Sequence, residues 1–90
     1  MEHIKTCRIK GVGDFEYYLT KTETLMEDNI ISTYGVAIRD TNNEHVETVN
    51  DIWSEKEAVV EFIRLIAKNG VTCIHLRELC EEFAEELYLI

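Results

Sequence analysis

The stretch SEKEAVVEFIRLIAKNGVTCIHLRELCEEFAEELYLI, residues 54–90, decides the fold, and it divides into two amphipathic segments at Asn69-Gly70-Val71-Thr72. In the first, Ala58, Val59, Phe62, Ile63, Leu65 and Ile66 recur at helical spacing, with Glu57, Glu61, Arg64 and Lys68 opposite them. Ser54 followed three residues later by Glu57 has the form of a capping box. There each side chain pairs with a backbone N–H that the first helical turn leaves free. Asn69-Gly70 is the expected stop, because glycine takes the left-handed conformation that closes a helix. The second segment is expected to begin at Thr72 and to turn Leu76, Leu79, Cys80, Phe83 and Leu87 inward. Glu78, Glu81, Glu82 and Glu85 then fall on its solvent side.

Upstream, the spacing changes to that of strands. Ile4 to Lys10 is a short candidate, closed by the turn signal Gly11-Val12-Gly13-Asp14. In Phe15 to Thr22, Phe15, Tyr17 and Leu19 alternate onto one face, which leaves Tyr18 as an aromatic on the other. Met26-Glu27-Asp28-Asn29 is expected to turn the chain into Ile30 to Arg39, the clearest strand. Asp40-Thr41-Asn42-Asn43 reverses it, His45 to Val49 returns as a weaker strand, and Asp51-Ile52-Trp53 leads into the first helix. Connections this short join antiparallel neighbours, since parallel strands need crossovers of about a dozen residues or more. The expected architecture is α+β: an antiparallel three- to four-stranded meander covered on one face by a C-terminal helical hairpin, in the order ββββαα. Residues 1–90 are expected to form a single domain, with the meander in 1–53 and the helices in 54–90.

Composition narrows the function classes. A net charge of −9 on 90 residues disfavours direct contact with nucleic acid or an anionic membrane. The charge is uneven: Lys5, Arg8 and Lys10 mark the start of the chain, whereas five acids and no base follow from Glu78 onward. No apolar run reaches the ~18–20 residues of a bilayer span, and the N-terminus lacks the apolar block of a secretory signal. The three cysteines, Cys7, Cys73 and Cys80, suit reduced thiols, so a cytoplasmic location is expected.

No cofactor, metal or catalytic residue emerges. Cys73 and His75 with Cys80 and Cys7 lack the paired Cys-x₂₋₄-Cys knuckles of structural zinc. Cys73 lies at a helix start, which tends to lower a thiol pKa, but His75 two residues on does not face it. The plainer role for His75 is a third helical position with its ring bonded back toward the cap. Trp53 is expected to pack over the first helical turn; exposed, it would anchor a partner. The tail Tyr88-Leu89-Ile90 is expected to tuck under the sheet edge or to mediate self-association.

Tyr34-Gly35-Val36-Ala37-Ile38, Asp51-Ile52, and Val71-Thr72-Cys73-Ile74-His75-Leu76 followed by Glu81-Glu82-Phe83 resemble a family of small bacterial domains of unknown function. In those proteins a Tyr-Gly strand precedes two helices, the second opening with a Pro-x-His-Leu-like run. The likeness covers roughly residues 30–84, and this chain has Cys73 in place of proline. The resemblance implies the fold and a bacterial cytosolic setting, and it transfers no catalytic residue.

The expected function is therefore a non-catalytic acidic module that binds a basic surface on a protein partner. Its candidate partner-binding residues are Glu78, Glu81, Glu82, Glu85, Glu86, Trp53 and His75. Glu81, Glu82, Glu85 and Glu86 crowd toward a helix C-terminus, where the macrodipole already disfavours negative charge. One concrete form is an inhibitor that occludes a nucleic-acid-binding groove, as small phage-encoded nuclease inhibitors do. The alternatives are a homodimeric regulatory protein whose charge serves solubility, and a small enzyme using Cys73 or His75.

Overall fold

The computed structural model describes residues 2–89, and the side chains of residues 4–83 and of residue 85. Four strands, β1 (Glu2–Val12), β2 (Phe15–Met26), β3 (Asn29–Asp40) and β4 (His45–Trp53), precede two helices, α1 (Lys56–Lys68) and α2 (Cys73–Leu89). The strands pair in sequence order, each antiparallel to the next. The meander of the sequence pattern is thus present in its four-stranded form.

The strands run further than their apolar alternation indicates. β2 and β3 stay in register from Phe15↔Asp40 to Met26↔Asn29, closing on the two-residue turn Glu27-Asp28. Both turn residues have positive φ, 48° and 66°, as in the primed turns whose twist matches a hairpin. Asp tolerates that conformation; Glu seldom adopts it, so the sequence marked a turn here without marking how tight it is.

Tyr17, Leu19, Val36 and Ile38 share one face of the sheet and are buried beneath the helices. From α1 come Val59, Val60, Phe62, Ile63, Ile66 and Ala67, and from α2 Cys73, Leu76 and Cys80. α1 lies over β1, β2 and β3, and α2 lies over β4 and β3. The helices meet where the Phe62 and Phe83 rings stack with centroids 4.3 Å apart. The Tyr17 hydroxyl, at the centre of this layer, donates to the Val71 carbonyl at 2.6 Å and ties the sheet to the turn between the helices.

Three local expectations need correction. α1 begins at Lys56 with Glu55 as its N-cap, and no side chain caps it. Ser54 lies one residue too early to bond the N3 amide, so the Ser54–Glu57 capping box does not form. Leu65 is 57% exposed, while Val60 and Ala67 take places in the core. α1 is apolar around much of its circumference, and the sheet selects the arc centred on Ile63. Finally, Asp51-Ile52-Trp53 belongs to β4: Tyr34 pairs with Trp53 and Val36 with Val49, so Asn50, Asp51 and Ile52 bulge opposite Gly35 alone.

Gly35 makes that bulge possible. A Cβ there would collide with the Val49 carbonyl oxygen and sit 2.7 Å from the Asn50 Cα. Asp51 turns the bulge with φ 56° and accepts a hydrogen bond from the Thr33 hydroxyl. The closure of α1 follows the sequence. Gly70, at φ 66°, donates to Ala67 O and Val71 donates to Ile66 O, the paired bonds of a Schellman motif.

Candidate interaction surface

α2 presents Glu78, Glu81, Glu82 and Glu85 to solvent. None of the four makes an ion pair among the described residues, although all four arginines do. Arg39 reaches Glu16 at 3.2 Å and Glu44 at 3.6 Å, Arg64 reaches Glu61 at 3.0 Å, and Arg77 reaches Glu47 at 3.2 Å. The Arg77 pairing is informative: the cation closest in sequence to the acidic run is drawn away to β4. The side chain of Glu86 and those of Tyr88, Leu89 and Ile90 lie outside the described residues.

The helix distributes its acids over two flanks. Glu78 and Glu82 line a shallow hollow with His75, Leu79 and the Asn69-Gly70-Val71 turn, about 370 Å³ in volume. Glu81 faces the other way, into a cleft of about 260 Å³ between α2 and the β4 bulge, which it shares with Asp51, Arg77 and Cys80. The fold thus groups His75 with two of the glutamates. It keeps Trp53 apart, half-buried against the core at the end of β4. His75 is exposed, and its backbone N–H donates to Thr72 O at 3.2 Å, marking the helix start. Neither the Arg77–Glu47 contact nor the Asp51 bulge had a signal in residue spacing: the first depends on α2 packing on β4, the second on β4 running through Trp53 rather than ending at Val49.

The thiols are held in opposite circumstances. Cys7 is exposed on β1, whereas Cys73 and Cys80 are buried. Burial raises the Cys73 pKa, and its Sγ lies 3.4 Å from the Ile38 carbonyl, to which it donates. Burial also pushes the Cys80 thiol up to about 12. These are the surroundings of inert thiols, the reverse of the electropositive settings that generate thiolates. Among the described residues no three His, Cys, Asp or Glu side chains cluster as metal ligands would. Nor, among the described residues, is any helix long and apolar enough to cross a membrane.

The pattern of a Family of unknown function (DUF6514) matches residues 2–86. The chain belongs to that family. The match runs through β1 and β2, well beyond the roughly 30–84 span that carries the resemblance seen in the residues. Family membership therefore encompasses the four-stranded meander and most of both helices. The chain matches no curated protein at a significant level, and the same is true of solved structures.

Proposed function

We propose that the protein is a non-catalytic interaction module that binds a basic surface of a protein partner through the acidic face of α2. The observation that carries this reading is the group Glu78, Glu81, Glu82 and Glu85, exposed and without an ion pair among the described residues. Like charges at i,i+4 on a helix cost about 0.2–0.5 kcal/mol per pair. A partner bearing Lys or Arg removes that cost and adds attraction, so the bound state gains more than an evenly charged helix would. Glu78, Glu82 and His75 border one hollow and Glu81 the other. A basic surface laid along α2 would meet carboxylates on both flanks.

One concrete form is an inhibitor or regulator that occupies a nucleic-acid-binding groove, with carboxylates standing where phosphates would, in the cytoplasm of a bacterium or its phage. The test is affinity capture at low salt with the native chain and with a Glu78→Lys, Glu81→Lys, Glu82→Lys, Glu85→Lys variant. The native chain should retain a basic partner whose binding weakens as salt is raised, and the variant should lose it. Equal retention of that partner by both would rule the reading out. A second reading, a homodimer whose charge serves solubility, is favoured by a different observation: the exposed apolar end of the sheet.

A further inference from the structure

The far end of the β2–β3 hairpin is an apolar arm that neither helix covers. β4 stops pairing at Tyr34↔Trp53, and β1 is last paired at Glu2↔Thr24, so among the described residues the final residues of the hairpin pair only with each other. Leu25 and Ile30 are opposite one another on the face that, closer to the middle of the strands, carries the core; they are 55% and 69% exposed. Ile4, Ile31 and Met26 are exposed on the opposite face at 49%, 45% and 55%. A ribbon apolar on both faces is an unusual thing to leave in water. Its tip, Glu27-Asp28, is acidic.

A complementary surface exists at the other end of the molecule. The last two turns of α1 expose Leu65 in a hollow of about 390 Å³, flanked by Arg64, Lys68 and Glu61. Lys68 makes no ion pair among the described residues. With Arg64 paired to Glu61 beside it, Lys68 leaves the hollow one positive charge in excess on a chain of net charge −9, next to an apolar side chain, as the acidic tip adjoins apolar ones. The bond from Tyr17 to Val71 places the end of α1 over the start of β2. The tip lies ten residues further along that strand, roughly 30 Å at ~3.3 Å per residue, on a molecule 43 Å long.

We infer that the arm docks on a second copy of this chain, Leu25 and Ile30 against Leu65, with Glu27 and Asp28 beside Arg64 and Lys68. Because the two patches sit at opposite ends of the long axis, two chains lying antiparallel about a twofold axis satisfy both contacts at once. That is an isologous, closed arrangement. It uses α1 and the arm; Leu65 also borders a hollow with Leu79, Glu82 and Phe83, so Glu82 is where this contact adjoins the acidic face of α2, and the inference does not depend on the function proposed above.

Sedimentation velocity on the full chain tests it. The native protein should sediment as a dimer, twice the 10.5 kDa of one chain. Leu65→Asp, at an exposed position that leaves the core intact, should weaken self-association about tenfold or more. So should Leu25→Asp. Exchanging charge on the arm alone, Glu27→Lys with Asp28→Lys, should also weaken it, and adding Arg64→Glu with Lys68→Glu should restore it. Circular dichroism checks that each variant is folded. A native chain that stays monomeric at high micromolar concentration overturns the inference, as does a dimer indifferent to Leu65→Asp or a charge exchange that fails to restore association.

Discussion

Cys80 illustrates how far a single side chain can be understood from its surroundings. Its thiol is 3% exposed, and loss of water lifts its pKa from 9.0 to about 12. Cys73 and Tyr17 shift upward for the same first reason, and Cys73 raises the Tyr17 pKa further. In the unfolded chain these groups ionise near their ordinary values. Between pH 9 and 12 the unfolded state therefore holds fewer protons than the folded one, and stability falls as pH rises through that window. Below it, the contribution is constant. Urea unfolding followed from pH 8 upward should show a declining midpoint, and Cys80→Ala should decline less steeply. An unchanged slope would refute the assignment. At neutral pH a thiol reagent should label Cys7 alone in the folded protein and all three cysteines once it unfolds.

Within elements, the sequence was most legible where one residue type has one conformational use, and least where several registers fit. Gly70 could only be a helix stop, and the Schellman bonds to Ala67 and Ile66 follow from it. The apolar residues of β2 and β3 likewise named the core, since a one-residue slip would turn Tyr17, Leu19, Val36 and Ile38 to solvent. The start of α1 was ambiguous, because Ser54 and Glu57 fit a capping box if the strand ends before Trp53. The β4 bulge extends the strand through Trp53 instead, and a three-residue bulge opposite Gly35 has no alternation to betray it. The acidic run on α2 was plain from spacing, whereas its division into two flanks required the packing of α2 on β4. The corrected cap makes its own prediction. Ser54→Ala should change stability by less than about 0.5 kcal/mol, whereas Glu55→Asp, which gives the true N-cap a shorter side chain able to reach the N2 or N3 amide, should add about 0.5–1 kcal/mol. Chemical denaturation measures both, and a loss above about 1 kcal/mol for Ser54→Ala would mean the capping box forms after all.

For the molecule as a whole, the distribution of charge is more telling than its total. The sheet and the first helix settle part of their charge locally, with Glu16 between Arg8 and Arg39 and Glu61 beside Arg64, while Glu47 takes Arg77 from α2. α2 does the opposite, with acids along its exposed side and, among the described residues, no base in its last turn. Folding alone gives no reason for this, since each carboxylate near a helix C-terminus is unfavourable by about 0.3–1 kcal/mol at low ionic strength. Glu85→Lys separates the two demands. It removes repulsion from Glu81 and Glu82 and places a cation where the helix dipole favours one, so the variant should be more stable than the native chain by up to about 1 kcal/mol. Salt should narrow that difference by screening it. If the acidic face exists to meet a basic partner, the same substitution should weaken capture of that partner. A gain in stability coupled to a loss of binding is what a surface kept for function, at some cost to the fold, must show. Thermal unfolding at low and high salt, beside partner binding by the same variant, decides it: a variant that gains stability and binds undiminished leaves the charge of α2 to solubility.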